Sequence, residues 1–127
     1  MPYPTDRKYT TDHEWITVDD DVARVGITAY AAEALGDVVY VDLPEVGATV
    51  SAGESCGEIE STKSVSDLVA PATGEVLEVN AAAVDSPESV NADPHGEGWL
   101  YAMRVTELPE DLLDAEAYTA LVEGEPA

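Results

Sequence analysis

Lys63 is the residue of this sequence whose type and setting point most directly to chemistry. The chain carries 27 Asp and Glu against 5 Lys and Arg, a formal net charge of -22, and Lys63 is the one cation between Arg24 and Arg104. Lysine becomes a neutral amide when its amine is acylated. A lysine kept where nearly all others are missing therefore suggests an amine needed for covalent modification. An ordinary surface cation balanced by Glu60 and Asp67 is the alternative interpretation of this feature alone.

The residues around Lys63 suit an amine that one enzyme modifies and others must reach. Such a lysine has to stand at an exposed, rigid tip. Strands are predicted over Glu54–Glu60 and Val65–Ala70, so we predict a hairpin around residues 60–67 with Lys63 at its tip. Small polar side chains leave space on both sides of the lysine: Ser61, Thr62, Ser64 and Ser66.

A short internal repeat flanks this hairpin. Residues 44–50 and 71–77 both have the form Pro-x-x-Gly-x-x-apolar. Proline presets the first corner of a turn and glycine supplies a positive φ, so each copy predicts a turn that leads into a strand, with Gly47 and Gly74 in the turns. If an internal two-fold relates the copies, Lys63 falls close to its centre, which favours a covalently modified lysine over an ordinary surface cation.

The remaining segments predict the elements that must hold this hairpin. Thr28 is expected to cap a helix over 29–35 that ends at Gly36. The strand at 37–42 is apolar nearly throughout and is predicted to be buried. Other predicted elements are strands at 14–18, 22–27, 75–80 and 99–105, and a helical C-terminal segment at about 109–123. We therefore predict one domain over 1–127, mostly β, as a sandwich or flattened barrel with short helices.

The charge and the single cysteine limit the partners and the compartment. A net charge of -22 repels nucleic acid and anionic membranes, and no apolar run approaches the length of a membrane span. The N-terminus lacks the features of a secretory or transit peptide, and Cys56 alone fits a reducing compartment, so we expect a cytoplasmic protein. Acids spread along the whole chain repel one another less in high salt, which predicts a salt-rich cytoplasm, as in a halophile.

The segment from Glu60 to Asp67 resembles the lipoylation site of the glycine cleavage system H-protein family. Other segments resemble that family in order and spacing, and together they cover essentially the whole chain. They are His13-Glu14-Trp15, Val25-Gly26-Ile27-Thr28, Leu35-Gly36-Asp37, Val41-Asp42-Leu43-Pro44-Glu45-Val46-Gly47, Ser86-Pro87-Glu88-Ser89-Val90-Asn91 and Gly98-Trp99. The resemblance implies a barrel-sandwich hybrid of the lipoyl-domain type.

The resemblance also implies a non-catalytic carrier with lipoate joined covalently to Lys63. In this family a lipoate-attaching enzyme modifies the lysine. The arm then carries the aminomethyl group of glycine from the pyridoxal-phosphate glycine decarboxylase (P-protein) to the tetrahydrofolate-dependent aminomethyltransferase (T-protein). Dihydrolipoamide dehydrogenase (L-protein) reoxidises it. No nucleic acid or membrane takes part.

A cleft that shelters the loaded arm needs an acid to hold an ammonium group and apolar walls to exclude water. The resemblance places that acid in the His-Glu-Trp segment, at Glu14. Asp67, four residues past the lysine, and Asp12, just upstream of the segment, are further candidates. In a chain with 27 acids, simple solvation is the alternative for each of them.

Other interpretations remain open at this stage. Lipoyl domains of 2-oxoacid dehydrogenases usually have Asp before the lysine, and biotin carriers have Met on both sides, whereas this chain has Thr62 and Ser64. A family member that mainly relays lipoyl groups, a small hydrolase using Cys56 and a histidine, and an unmodified acidic interaction domain are further alternatives. His13 and His95 show no metal-ligand spacing, so no metal site is predicted.

Overall fold

The computed structural model describes residues 5–124, so the ends of the predicted domain, 1–4 and 125–127, lie outside the described residues. Short strands dominate this part of the chain, and the helices are short. In chain order the elements are β1 (Lys8–Tyr9), β2 (Glu14–Asp19), β3 (Val22–Ile27), α1 (Ala29–Leu35), β4 (Val38–Asp42), β5 (Thr49–Val50), β6 (Ser55–Ser61), β7 (Val65–Val69), β8 (Thr73–Val79), α2 (Ala81–Asp85), α3 (Glu88–Ala92), β9 (Tyr101–Glu107) and α4 (Ala115–Gly124).

Two antiparallel sheets share one apolar core. The larger sheet has the strand order β1-β2-β3-β9-β8-β5, and the smaller has the order β4-β6-β7. Buried side chains of both sheets form the core, among them Val25, Val76, Tyr101 and Met103 from the larger and Val41, Ile59 and Leu68 from the smaller. The predicted mostly-β sandwich with short helices is confirmed, although the sheets stay separate and do not close into a barrel.

The two copies of the internal repeat pair with each other. Thr49 of β5 lies opposite Glu75 of β8, and in the hairpin Glu58 of β6 lies opposite Asp67 of β7. Both pairings are centred on residues 62–63. The chain therefore folds back on itself about the position of Lys63, as the repeat predicted.

The predicted caps of α1 are confirmed. The Thr28 hydroxyl accepts a hydrogen bond from the N–H of Ala31 at 3.2 Å. Gly36 follows the last turn with φ at +82°, a conformation that glycine adopts without a steric penalty, and its N–H donates to the carbonyl of Ala32 at 3.2 Å. The helix thus stops sharply, and the chain enters β4 two residues later.

The prediction that the strand at 37–42 is buried was wrong for its middle. Val39 is 52% exposed and Tyr40 is 51% exposed. β4 is an edge strand that pairs only with β6, and its register with β6 shifts between Val38 and Tyr40. The bulge disturbs the alternation of sides, so two successive apolar side chains reach solvent.

The turn predicted at Gly74 was also wrong. Gly74 lies inside β8, and its φ is not in the left-handed region. A Cβ at this position would collide with the carbonyl oxygen of Arg104 on β9. Glycine is needed here for close approach of two strands, whereas Gly47, with φ at +92°, does sit in a turn as predicted.

The C-terminal helical segment begins later than predicted. Residues 109–114 form a turn and an isolated bridge, because Leu113 exchanges two backbone hydrogen bonds of 2.7 Å with Tyr9. The helix α4 starts at Ala115, where the carboxylate of Asp114 caps it by accepting from the N–H of Ala117 at 2.8 Å. A second small core of Tyr9, Trp15, Ala115 and Tyr118 attaches α4 to β1 and β2.

Candidate functional site

Local hydrogen bonds hold the tip of the β6–β7 hairpin. The N–H of Ser61 donates to the carbonyl of Ser64 at 2.8 Å, and the Ser61 hydroxyl accepts from the N–H groups of Lys63 at 3.3 Å and Ser64 at 3.1 Å. The N–H of Thr62 donates to the carbonyl of Asp37 at 3.0 Å. Lys63 is exposed on this constrained tip, where a modifying enzyme has access to its amine.

The side chain of Lys63 lies over the end of α1. A Cβ placed on Gly36 would be 3.3 Å from Cε of Lys63 and 4.0 Å from its Nζ. The amide of Asn91 on α3 fixes this junction, since Nδ2 donates to the carbonyl of Gly36 and Oδ1 accepts from the N–H of Val38, both at 2.8 Å. Gly36 therefore serves both to end the helix and to leave room for the far end of the lysine side chain.

A cavity of about 300 Å³ adjoins the hairpin. The structure brings all three predicted acids, Asp12, Glu14 and Asp67, to this one cavity, together with Ser64 beside the lysine. Its other walls are mostly apolar or aromatic: His13, Ile27, Tyr30, Ala31, Ala34, Leu35, Ile59 and Val65, with Ser66. The cavity has the two properties that the sequence led us to expect of a cleft for the arm, namely acidic groups and apolar walls.

Glu14 differs sharply from the other two acids. It is only 2% exposed, whereas Asp12 and Asp67 are exposed. Its Oε2 accepts from the N–H of Val69 at 2.7 Å, and no hydrogen bond reaches its buried Oε1 within the described residues. Burial raises the pKa of the Glu14 carboxyl to about 8, with a further increase from the charge of Asp12, while the bond from Val69 opposes the rise. The cavity thus contains a carboxyl group that favours its protonated form near neutral pH, and the Oε1 of that group has no hydrogen-bond partner among the described residues.

A buried hydroxyl positions the wall opposite the hairpin. The hydroxyl of Tyr118 on α4 lies 2.8 Å from Nδ1 of His13 and 2.8 Å from the hydroxyl of Thr28, the cap of α1. The ring of His13 also stacks at a tilt on Tyr30, with 4.7 Å between centroids. The C-terminal helix therefore contributes to the site by holding the residues that begin α1.

The sequence analysis missed four features of this arrangement. It assigned Gly36 only to the helix end, and it gave no role to Tyr30, Asn91 or the pairing of His13 with Tyr118. These contacts join residues distant in the chain, 105 positions apart for His13 and Tyr118. The Asn91 that ends the Ser-Pro-Glu-Ser-Val-Asn segment was the one signal in the sequence that pointed towards them.

The other candidates do not form a second reactive site. Burial raises the pKa of the Cys56 thiol, whose sulfur lies 3.6 Å from the hydroxyl of Tyr101, not from a histidine. Among residues 5–124 no group of three or more His, Cys, Asp or Glu side chains could hold a metal ion. No helix in the described part of the chain is long and apolar enough to cross a membrane.

Comparisons with known proteins give a consistent result. The family model described as "Glycine cleavage H-protein" matches residues 7–125. The glycine cleavage system H protein of Beutenbergia cavernae is 63% identical over 125 residues, covering 98% of this chain and 100% of that protein. That of Thermobifida fusca is 59% identical over 125 residues, covering 98% and 99%.

A solved structure agrees with these relatives. The crystal structure of a glycine cleavage system H protein from Mycobacterium marinum superposes with a TM-score of 0.91 at 57% identity, covering 97% of this chain and 100% of that one. The match spans both sheets, the lysine hairpin and the terminal helix. This chain therefore belongs to the glycine cleavage H-protein family.

Proposed function

We propose that this protein is the lipoyl carrier of a glycine cleavage system and catalyses no step itself. A lipoate-attaching enzyme would join lipoate to Nζ of Lys63 as an amide. Once attached to Lys63, lipoate would supply the disulfide that such a carrier needs. The protein would then carry the aminomethyl group of glycine from the P-protein to the T-protein, with dihydrolipoamide dehydrogenase as the partner that restores the disulfide. Family membership supports this assignment, because the relatives are named as H proteins of that system.

The observation that carries the proposal is the position of Lys63. Its amine is exposed at the tip of a hydrogen-bonded hairpin and lies beside a cavity lined by a buried carboxyl group. A tether at such a point keeps its reactive end at high effective concentration when a partner docks. Ser64 and Val65, the two residues after the lysine, line the cavity, so the end of the tether would enter it between visits.

We propose that Glu14 holds the ammonium group of the carried unit. Its Oε1 is buried without a hydrogen bond in the described structure, and an incoming ammonium would supply the missing donors. An ammonium at hydrogen-bond distance also favours the ionised carboxylate, so Glu14 would lose its proton as the cavity fills. Asp12 and Asp67 would add attraction from exposed positions, and the apolar face of α1 would limit the access of water.

We further propose a reducing, salt-rich cytoplasm as the setting and a single domain over 1–127. The net charge of -22 supports the salt-rich setting, and the single cysteine supports the reducing compartment. Neither nucleic acid nor an anionic membrane is a partner on this proposal, since both carry the same sign of charge as the protein. The partners are the three enzymes of the cycle and the enzyme that attaches lipoate.

Glycine cleavage reconstituted from lipoylated carrier, P-protein, T-protein and dihydrolipoamide dehydrogenase tests this function. The substitution Lys63→Arg keeps the positive charge but removes the amine that forms the amide. The matched control is Lys8→Arg, an equally conservative change at an exposed position on β1. We expect glycine-dependent NADH formation to vanish in the first variant and to match the wild type in the second.

Two results would contradict the proposal. One is activity of the Lys63→Arg protein at more than a trace of the wild-type rate. The other is equal loss of activity in both variants with unchanged folding, since that would point to a general effect of charge substitution and not to modification of one lysine. Intact mass spectrometry of each preparation establishes before the assay whether it carries lipoate.

A further inference from the structure

A second cavity, of about 550 Å³, lies on the other face of the larger sheet. It shares no lining residue with the cavity beside the lysine hairpin. Successive side chains of a strand point to opposite faces, so Glu14 and Trp15 of β2 enter different cavities. The lining residues are Arg7, Trp15, Thr17, Arg24, Asn80, Ala82, Asp93, His95, Gly96, Glu97 and Trp99.

This cavity concentrates cations in a chain that has very few of them. Two of the five Lys and Arg residues, Arg7 and Arg24, line it. Each guanidinium lies over an indole: Arg7 over Trp15 and Arg24 over Trp99, both with Cζ 4.6 Å from the ring centroid. Trp15 in turn needs Gly26 beneath it, where a Cβ would come within 2.6 Å of the indole. Stacking on aromatic faces orders both arginines without neutralising them.

Arg24 is the available cation of the two. Arg7 donates to the carboxylate of Asp6 at 2.9 Å and to the carbonyl of His95 at 2.6 Å. No carboxylate of the described residues forms an ion pair with Arg24. By contrast, Arg104, an exposed arginine of the neighbouring strand β9, lies 3.7 Å from Asp21 and 4.0 Å from Glu75. Arg24 thus differs from Arg104 in having no carboxylate as an ion-pair partner among the described residues.

The other polar groups that line the cavity make hydrogen bonds elsewhere and form no ion pair with Arg24. The carboxylate of Asp93 accepts from the N–H of Glu97 at 3.0 Å within its own turn, and the side chain of Glu97 is exposed. Nε2 of His95 accepts from the N–H of Ala29 at 3.1 Å, and burial together with the charge of Arg7 lowers the pKa of that imidazole. The amide of Asn80 donates to the carbonyls of Glu97 and Trp99.

We propose that this cavity binds a small molecule that carries a divalent oxyanion, either a phosphate or a dicarboxylate. The guanidinium groups of Arg24 and Arg7 would hold this oxyanion. A volume of about 550 Å³ lies within the range of small-molecule sites. The guanidinium presents paired N–H donors that match the oxygen atoms of either group. Thr17 lies directly opposite Arg24 in the β2–β3 pair and lines the same cavity, so its hydroxyl would be a further hydrogen-bond donor to the oxyanion.

The site has a built-in reporter, because Trp15 and Trp99 are the only two tryptophans of the chain. Tryptophan emission is therefore recorded during titration with inorganic phosphate, with succinate, and with sodium chloride at matched ionic strength. The variant is Arg24→Gln, and the matched control is Arg104→Gln on the adjacent strand outside the cavity. Thermal melting of each protein verifies folding before the titrations.

We expect phosphate or succinate to change the emission along a saturating curve that sodium chloride does not reproduce. The Arg24→Gln change should weaken that binding about tenfold or more, the loss of a charged hydrogen-bonding partner, and Arg104→Gln should leave it unchanged. The stronger of the two probes identifies the oxyanion class. If both probes act only as sodium chloride does, or if the two variants bind alike, the proposal is overturned.

A second measurement needs no variant. The indole N–H of Trp15 donates to the carbonyl of Pro94 at 2.8 Å, so its resonance in a ¹H–¹⁵N spectrum reports on this cavity. We expect the indole resonances of Trp15 and Trp99 to shift together and to saturate with the effective probe. Shifts confined to residues around Lys63, with both indole signals unmoved, would refute a site here.

Discussion

The Glu14→Gln substitution gives the most informative test of how the cleft works, because glutamine keeps the shape of the side chain and cannot ionise. In the wild type the folded carboxyl has a pKa of about 8 against an ordinary value of 4.5. Between these two pH values the unfolded chain has released the proton while the folded protein still holds it. The wild type therefore loses stability relative to the glutamine variant as the pH rises through this window.

The size of the effect follows from the same two values. At about 1.36 kcal/mol for each pH unit between 4.5 and 8, the loss amounts to roughly 4 to 5 kcal/mol, as an order of magnitude. Below pH 4.5 both states are protonated, and this contribution disappears. Above pH 8 both are ionised, and the difference becomes constant. The bond from the N–H of Val69 to Oε2 is preserved in the variant, so the difference isolates the ionisation.

Urea unfolding of both proteins across this pH range, at fixed high salt, measures the difference directly. The control is Glu58→Gln, which removes the same charge from an exposed position on β6. We expect the stability gain of Glu14→Gln over wild type to grow steadily with pH up to about 8 and to exceed that of the control by several kcal/mol. A gain that is flat across the window, or equal to the control, would refute the buried, protonated carboxyl on which the ammonium site depends.

Three further predictions concern Gly36, Tyr118 and the net charge of the whole chain. Gly36→Ala should slow lipoylation of Lys63 and lower the free energy of unfolding by about 1 kcal/mol, because a Cβ would meet the lysine side chain at positive φ. The matched control is Gly53→Ala, because Gly53 has nearly the same φ, +85°, and a Cβ there would meet nothing within 4 Å. This variant should lose a similar free energy of unfolding without slowing lipoylation. Tyr118→Phe should cost roughly 1–3 kcal/mol, since the buried hydroxyl of Thr28 and the half-buried imidazole of His13 lose their shared partner. Tyr40→Phe at an exposed site should cost little, and urea unfolding measures both. The melting temperature of the wild type should rise with potassium chloride as repulsion within a net charge of -22 is screened.

Each of these predictions has a clear contrary result. Equal lipoylation rates for the two glycine variants would remove Gly36 from its role beside the lysine. Equal stability of the two tyrosine variants would show that the link between α4 and α1 contributes nothing. A melting temperature independent of salt would count against self-repulsion and against the proposed salt-rich setting.

The features that could be predicted from the sequence are those set by neighbours in the chain. Thr28 and Gly36 enclose a short helix through bonds that span one turn, and the repeat around Lys63 requires only that two similar segments pair. Both predictions were confirmed. Glu14 was named from resemblance, and Asp67 and Asp12 from their positions in the sequence. The structure brings all three to one cavity, and their roles are proposals.

The features that could not be predicted depend on contacts between distant strands. Glu14 is an ordinary acid in the sequence, and its high pKa arises only because β2 packs so that its carboxyl is buried against Val69, 55 residues away. The exposure of Tyr40 follows from a bulge against β6, and the need for glycine at position 74 follows from the backbone of β9. The pattern of residues along one strand carries no information about which distant strand packs against it.

Intact mass spectrometry of the protein from its native host, with fragment mapping, tests the central claim most directly. In cells that are degrading glycine, we predict that a substantial fraction of the protein carries one lipoyl group and that the fragments place it on Lys63. The Lys63→Arg protein from the same cells should carry none. Protein that is entirely unmodified at Lys63 while glycine cleavage proceeds, or that bears lipoate on another residue, would contradict the account.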